Sequence, residues 1–341
     1  MNASTQAIRA AGSCPEILVM SSTTEAINIH SPALPYNSFN SYLREKFGTR
    51  IARVPIDAGF TCPNRDGKRA FGGCTFCDDR GSGAPTIDAA LNVRQQLEKG
   101  MARARVRFKA HKFMAYFQAF TNTYAPEAVL KSLYDVALEY PDVVGICIGT
   151  RPDCLEENIL DLLAEYNKKT FIWLEIGLQS SVNRTLELIN RGHTSEEFFD
   201  AVERAQRRNL QLATHLIFGL PEETPEQMME TVRLVAASGV TGVKIHQLCI
   251  YKGTPMEEDY RAGRLPVLDE DEYVKLAADA LELLSPDQII MRLVAEGSKD
   301  EIIAPEWCFD KKRIAEKIES ELARRRTRQG SKFSCTTGGC R

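Results

Sequence analysis

The chain has 341 residues, a formal net charge of −3 and 43% hydrophobic residues, which is the composition of an ordinary globular protein. Ten cysteines in a chain of this length are too few for a disulfide scaffold. No apolar run approaches the roughly 18 to 20 residues of a membrane-spanning helix, and the N-terminal segment does not have the pattern of a secretory signal. We therefore expect a cytoplasmic protein with no membrane partner.

Three regions differ in composition along the chain. Residues 1–35 are rich in Ser and Thr and have no sustained periodicity, which predicts a loose N-terminal leader. Alternating apolar and amphipathic segments follow, and they predict a structured core over residues 36–295. We expect residues 296–341 to form a C-terminal extension that consists of a basic helix and a flexible tail.

Seven short apolar runs in the core have the composition of β-strands. They lie at residues 51–56, 113–117, 143–148, 171–176, 210–218, 242–250 and 288–294. Segments with 3.6-residue periodicity lie between them and predict helices at residues 125–139, 155–166, 195–208, 225–237 and 269–284. This alternation predicts parallel strands joined by right-handed crossovers, and hence an open or closed α/β barrel.

A cysteine-rich segment directly follows the first predicted strand. It spans residues 59–77, GFTCPNRDGKRAFGGCTFC, and contains Cys62, Cys74 and Cys77. In parallel α/β proteins the active site lies outside the carboxyl ends of the strands. The three cysteines are therefore predicted at the functional end of the barrel.

Three thiols on one loop have three chemical interpretations. A structural zinc ion takes four protein ligands, usually in two pairs, and this segment has only one close pair. A catalytic dithiol needs Cys74 and Cys77 alone and gives Cys62 no role. An iron–sulfur cluster with one open iron uses all three, and Arg65 with its neighbouring cations adds positive charge beside the anionic centre.

Several motifs beyond this loop carry a resemblance to a known family. The segments "DAGFTCPNRDG", "GGCTFC", "GTRPDCL", "LEIGLQS", "INRGH", "HLIFGLP" and "APEWC" occur in an order that resembles the YhcC-like group of the radical S-adenosylmethionine (radical SAM) superfamily. This group is related to the elongator catalytic subunit. The common superfamily signature is C-x3-C-x-aromatic-C, whereas here eleven residues separate Cys62 from Cys74, a long spacing that the YhcC-like proteins share.

The resemblance implies a fold and a set of cofactors. The implied fold is a partial (β/α)6 TIM-like radical SAM barrel. The implied cofactors are a [4Fe-4S] cluster, held by Cys62, Cys74 and Cys77, and S-adenosylmethionine bound at the open iron. Reductive cleavage of S-adenosylmethionine would give a 5′-deoxyadenosyl radical that abstracts hydrogen from a substrate, with flavodoxin or ferredoxin as the electron donor.

The same resemblance implies where S-adenosylmethionine binds. The implied cofactor-binding residues are Phe76, Gln118, Glu175, Gln179, Arg191 and Gly219. A glutamine can hydrogen-bond ribose hydroxyls, and an arginine can pair with the methionine carboxylate through two hydrogen bonds. Gln118 stands where the superfamily usually carries a Gly-Gly-Glu turn. For Glu175, an ion pair is as good an interpretation as a cofactor contact.

Three functions remain open at this point. The first is radical chemistry on a tRNA base, which is motivated by the elongator resemblance and by two basic runs, residues 103–112 and 311–332. For the second run, a solvated helix is the favoured interpretation. The other functions are the same chemistry on a small metabolite such as a tetrapyrrole, and a zinc-stabilised binding module. The roles of Cys308, Cys335 and Cys340 are open, with packing favoured for Cys308.

Overall fold

Seven parallel strands form a curved sheet whose order follows the chain, β1-β2-β3-β4-β5-β6-β8. The strands are β1 (Ile51–Ile56), β2 (Lys112–Phe117), β3 (Val143–Thr150), β4 (Phe171–Gln179), β5 (Gln211–Phe218), β6 (Gly242–Gln247), β7 (Ile250–Tyr251), β8 (Ile289–Arg292) and β9 (Ile302–Ala304). Because each strand pairs in parallel with the next, helices must return the chain across the outer face. This half-barrel confirms the predicted fold class.

The structure is a computed structural model that describes residues 34–334 except 82, 85 and 296. All of these residues belong to one compact unit. The predicted leader, apart from its last two residues, lies outside the described residues, and so do Cys335 and Cys340 of the tail.

Ten helices surround the sheet within the described part of the chain. They are α1 (Phe39–Phe47), α2 (Val93–Phe108), α3 (Glu127–Leu138), α4 (Glu157–Asn167), α5 (Asn183–Leu188), α6 (Ser195–Gln206), α7 (Pro225–Ala237), α8 (Pro255–Arg261), α9 (Glu270–Leu283) and α10 (Lys311–Arg325). The start of α7 is fixed as its sequence predicts, because Thr224 and Gln227 form a reciprocal capping box. None of these helices is both long and apolar enough to cross a membrane.

One predicted strand is wrong. The apolar run at residues 242–250 is not continuous, because β6 ends at Gln247 and β7 pairs in antiparallel fashion with β9. The side chain of Gln247 accounts for the break: its Oε1 accepts the amide of Ala295 at 3.1 Å and its Nε2 contacts Cys249 Sγ at 3.3 Å. These contacts turn the chain away from the sheet.

The amino end of the barrel is filled by apolar side chains. Phe39 of α1 packs edge-on against Trp173 of β4 with ring centroids 5.1 Å apart, and both rings are buried with Leu43 and Met291. Replacement of Trp173 by Ala would cost about 3 to 5 kcal/mol. Since this end is packed, space for a ligand remains at the carboxyl ends of the strands.

The predicted basic C-terminal helix is α10, and it packs on α9. Ile314, Ile318 and Leu322 are fully buried along one face. On the other side, its cations pair with acidic residues of α9, for example Arg313 Nη1 with Glu270 Oε1 at 2.5 Å. The helix is therefore attached to the core rather than projecting from it.

Candidate active site

The cysteine loop is held over the carboxyl ends of the strands by backbone hydrogen bonds. The amide of Thr121, just after β2, donates to the carbonyl of Thr61 at 3.3 Å, and the amide of Thr75 donates to the carbonyl of Ile189 at 3.0 Å. Within the loop, the Cys77 amide donates to the Cys74 carbonyl at 3.0 Å. The loop therefore closes one side of the barrel opening.

A cavity of about 220 Å³ lies beneath this loop. Eight of the nine predicted site residues line it, namely Cys62, Cys74, Cys77, Phe76, Gln118, Glu175, Gln179 and Arg191. Gly219 does not line it; a side chain at Gly219 would instead meet Leu268 Cγ at 2.9 Å. The structure thus brings together residues that lie more than a hundred positions apart in the sequence.

Hydrogen-bond donors point at two of the three sulfurs. Arg65 Nη2 lies 3.5 Å from Cys77 Sγ, and Arg191 Nη1 lies 3.6 Å from Cys74 Sγ. Asn64 Nδ2 lies 3.7 Å from Cys74 Sγ. Cationic and amide donors stabilise the thiolate form, which is the form that binds metal.

Gly177 of β4 allows Gln179 and Arg191 to approach the cavity wall. A Cβ at Gly177 would lie 2.7 Å from Gln179 Nε2 and 2.8 Å from Arg191 Nη2. The carbonyl of Gly177 accepts a hydrogen bond from Arg191 Nη2 at 2.8 Å. This bond fixes the guanidinium between the strand and the cysteine loop.

The wall of the cavity contains buried polar atoms that have no hydrogen-bond partner within the described residues. They are Gln118 Nε2, Arg151 Nη1, Glu175 Oε1, Arg191 Nε and His246 Nε2. Buried polar atoms are nearly always paired, so such a group of orphans indicates a polar ligand. The carboxylate, amino group and ribose hydroxyls of S-adenosylmethionine fit this donor and acceptor set.

The three thiols also bear on the zinc interpretation. Within the part of the chain that the structure describes, no three His, Cys, Asp or Glu side chains are grouped so that they could hold one metal ion. A single zinc ion needs its thiolates about 2.3 Å from one point, whereas thiolates of an iron–sulfur cluster bind different irons.

Glu175 is the centre of a buried charge network inside the barrel. Its Oε2 accepts a hydrogen bond from Tyr116 Oη at 2.5 Å, contacts His215 Nε2 at 3.1 Å and pairs with Lys244. Arg53 lies 3.9 Å from its other oxygen. Glu175 thus forms an ion pair, which is one of the two interpretations given for it, and it also lines the cavity.

Burial sets the protonation of this network. Although burial raises the pKa of Glu175, Lys244, His215 and Arg53 together hold it well below its usual range. Burial lowers the pKa of Lys244 to about 7 in spite of its partner, and burial followed by Lys244 lowers the pKa of His215 to about 4. Burial also lowers the pKa of His246. Glu175 is therefore an anion beside two neutral imidazoles.

Sequence reasoning missed Tyr116, Lys244 and Arg292, which also lie at the site. Tyr116 and Arg292 line the cavity, and Lys244 is fully buried with its Nζ 2.9 Å from Tyr116 Oη. Their signal is alternation: Tyr116 with Gln118, and Lys244 with His246, are polar residues two positions apart in apolar strands. Such pairs point to the same face of a strand.

Cys308 is buried and does not line the cavity. It interacts with Cys249, a lining residue, and this interaction together with burial shifts the pKa of the Cys249 thiol well above its usual value. Packing therefore accounts for Cys308, as favoured from the sequence.

The chain matches two known protein domains and several known proteins. The radical SAM superfamily domain matches residues 62–235, and the radical SAM C-terminal domain matches residues 240–324. YtqA of Bacillus subtilis is 42% identical over 298 residues, which are 87% of this chain and 92% of YtqA. YhcC of Escherichia coli K12 is 37% identical over 273 residues, which are 80% of this chain and 87% of YhcC.

Two more distant matches are an enzyme named for tRNA chemistry and a solved structure. The tRNA uridine(34) acetyltransferase of Methanocaldococcus infernus is 28% identical over 145 residues, 41% of this chain and 26% of that protein. The solved structure of the archaeal M. infernus Elp3 with an N-terminal deletion has a TM-score of 0.61 at 17% identity, over 82% of this chain and 64% of that one. At this identity the structural likeness concerns the fold alone. The chain belongs to the radical SAM superfamily and is a radical SAM enzyme.

Proposed function

We propose that this enzyme holds a [4Fe-4S] cluster on Cys62, Cys74 and Cys77, binds S-adenosylmethionine beside it, and acts on a base of tRNA. Membership of the superfamily implies use of both cofactors in general. The observation that carries the residue assignment is that all three thiols line one cavity with Gln179 and Arg191. That cavity also contains buried polar atoms that lack partners in the described chain.

The bound cofactors would supply a 5′-deoxyadenosyl radical that takes a hydrogen atom from the substrate. The protein would position them. Arg191, held by the Gly177 carbonyl, would pair with the carboxylate of S-adenosylmethionine through its unpartnered Nε. The amide of Gln179 would bind the ribose hydroxyls, and the Phe76 ring would pack beside the adenine. Backbone carbonyl groups in the turn at Gln118 would accept hydrogen bonds from the amino group of S-adenosylmethionine.

The proposal of a tRNA substrate is supported by one relative. The match to the tRNA uridine(34) acetyltransferase spans 145 residues, so it supports a substrate class for testing and not a shared reaction. Uridine at position 34 of tRNA is the base to examine first. A small metabolite as substrate is the alternative outcome of that examination.

The first experiment determines the cofactor. Protein purified without oxygen should contain about four irons per chain and absorb broadly near 400 nm, and with dithionite it should release 5′-deoxyadenosine from S-adenosylmethionine. Dithionite here replaces the flavodoxin or ferredoxin that we expect as donor. Replacement of Cys62, Cys74 or Cys77 by Ala should remove both iron and cleavage. Stoichiometric zinc with no cleavage would establish the zinc-stabilised module instead.

Two variants make this experiment specific. Cys147→Ala changes a buried thiol that does not line the cavity, so iron content and cleavage should persist. Arg191→Ala should weaken S-adenosylmethionine binding at least tenfold, the effect of one lost charge-assisted pair, while iron is retained. Loss of iron in Arg191→Ala would show that this arginine supports the cysteine loop through Cys74 rather than the cofactor.

A further inference from the structure

A second cavity, of about 520 Å³, lies along the edge strand β1 beside α2. Tyr116, Gln118 and Arg292 line both this cavity and the candidate active site. We call the second cavity the β1 groove. It therefore adjoins the site where the radical would form, at the open edge of the half-barrel.

The lining of the β1 groove is strongly cationic. Among the described residues, seven basic residues line it against one acidic residue, Asp88. The basic residues are Arg50, Arg53, Lys99, Arg103, Arg107, Arg292 and Lys311. Because the whole chain carries a net charge of −3, this concentration of positive charge is local and not a consequence of overall composition.

Helix α2 supplies three of these cations as a stripe. Lys99, Arg103 and Arg107 are four residues apart, so they lie on one face of the helix. The helix lies close against β1, because a Cβ at Gly100 would be 2.2 Å from Val54 Cγ1. The stripe therefore forms a wall of the groove rather than an isolated surface patch.

The exposed arginines of this wall are not neutralised. Among the described residues, no carboxylate lies within ion-pair distance of Arg50, Arg103 or Arg107. Arg50 and Arg107 instead lie over the ring of Phe108, at 5.6 and 5.2 Å from its centroid. Phe108 is 38% exposed and adds an aromatic surface on which a base can stack.

Arg105, on the same helix, differs from the arginines of the groove because it has an acidic partner. Arg105 points to the other side of α2 and pairs with Asp142 at 3.0 Å, and Lys112 pairs with the same carboxylate at 3.2 Å. Neither residue lines the β1 groove. Within one basic run, Arg105 and Lys112 outside the groove are therefore paired, and the arginines of α2 inside it are available for an anion.

We propose that the β1 groove binds the phosphate backbone of the RNA strand whose base enters the active-site cavity past Tyr116 and Gln118. This inference rests on the proposed function and assigns the surface by which its substrate is held. Guanidinium groups match the geometry of phosphates, and successive cations along a groove suit successive phosphates. A recessed groove admits a single strand, whereas a folded acidic protein such as an electron donor would contact mainly its rim.

The test measures RNA binding and not catalysis. Binding of a fluorescein-labelled tRNA transcript to the holoenzyme is followed by anisotropy between 50 and 400 mM KCl, the range in which phosphate contacts are resolved. For Arg103→Ala/Arg107→Ala, we expect the slope of log K against log salt to fall by about two. At 0.1 M salt this corresponds to an affinity about 25- to 60-fold weaker.

The matched control is Arg105→Ala, on the same helix but outside the groove, and its binding curve should coincide with that of the wild type. A double variant whose slope equals the wild-type slope overturns the groove assignment. If the double variant misfolds by circular dichroism, Arg50→Ala, which precedes β1, carries the same test with an expected slope change of about one.

The outcomes separate this inference from the proposed function. RNA bound in the groove without any tRNA product would leave the groove assignment intact and overturn the proposed substrate. If tRNA is turned over but the salt slope of the double variant is unchanged, the proposed substrate stands and the groove assignment is overturned. If the double variant loses cluster reduction by flavodoxin but binds RNA normally, the groove is a docking site for the electron donor and the inference fails.

Discussion

Helices α2 and α10 are both rich in Lys and Arg, yet their surroundings differ. On α10, Arg313 Nη1 bonds Glu270 at 2.5 Å, and Arg325 Nη1 bonds Asp279 at 2.5 Å. Arg325 also reaches Glu282, whose side chain is 1% exposed. On α2, in contrast, Arg103 and Arg107 face a groove that contains one acidic residue.

This difference shows that a basic run in a sequence does not by itself indicate a surface that binds anions. Arg313 and Arg325 attach α10 to α9, so their charge is already used within the fold. Arg103 and Arg107, in contrast, have no carboxylate partner among the described residues, so their charge creates a field that an external anion can neutralise. The acidic residues opposite a basic helix, and not its own charge alone, decide whether its cations are available to an external anion.

Charge reversal on α2 gives the largest expected effect. Arg103→Glu/Arg107→Glu replaces two phosphate contacts by two repulsions, so tRNA affinity at 0.1 M salt should fall by more than about 100-fold. Because neither arginine has a carboxylate partner in the described chain, the free energy of unfolding should change by less than about 0.5 kcal/mol. Anisotropy and urea unfolding measure the two quantities.

The equivalent reversal on α10 should have the opposite signature. Arg313→Glu/Lys317→Glu makes the same change in net charge but places acids against Glu270 and Asp271. These pairs are partly exposed, so we expect a measurable loss in the free energy of unfolding, with tRNA affinity within about twofold of the wild type. A large loss of tRNA binding here would mean that RNA also contacts α10 at Arg313 and Lys317, and the contrast between the two helices would be wrong.

Much of the fold could be predicted because its signal is local. Buried parallel strands are apolar at consecutive positions, and the predicted bounds of β1 and α7 coincide with the structure. The errors in strand bounds lie at polar residues, whose conformation depends on contacts with residues that are distant in the sequence. β3 and β4 continue to Thr150 and Gln179, beyond the last apolar residue, because neighbouring strands supply their hydrogen-bond partners.

The site was predictable where a motif marks it and not elsewhere. Cys62, Cys74 and Cys77 are close in sequence, and Gln179 and Arg191 lie in recognisable segments. The Glu175–Lys244 pair spans 69 positions, and the Tyr116–Lys244 hydrogen bond spans 128. Such pairings depend on the order of strands around the barrel, which a single sequence does not specify. The β1 groove likewise needs β1, α2, β8 and α10 in place.

Low pH should weaken the ion pairs of α10 and should not affect the arginines of the β1 groove. Hydrogen bonds from Arg313 and then Lys317 lower the pKa of Glu270 to about 2, and bonds from Arg324 and Arg325 lower that of Glu321 to about 2. With pKa values depressed on folding, these carboxylates stabilise the fold above about pH 4.5, their unfolded pKa, and this stabilisation is lost as the pH falls towards 2.

A glutamine variant isolates this contribution. Glu270→Gln should lower stability at pH 7 and flatten the decline in the free energy of unfolding between about pH 4.5 and 2, relative to the wild type. If the free energy of unfolding falls equally steeply between about pH 4.5 and 2 in Glu270→Gln and in the wild type, the ion pairs of α10 make no measurable contribution to stability.

The smallest expected effect is a gain. Within the described part of the chain, Lys99 is the one cation of the α2 stripe with an acidic partner, Asp88, at 3.1 Å. Asp88→Asn should release Lys99 to an RNA phosphate, steepen the salt slope by about one and raise affinity about 5- to 8-fold at 0.1 M salt. Asp142→Asn releases Arg105 and Lys112 outside the groove and is the matched control, with unchanged affinity expected. If both variants bind tRNA more tightly by the same factor, overall charge and not the groove governs binding, and α2 would differ from α10 only in its lack of partners.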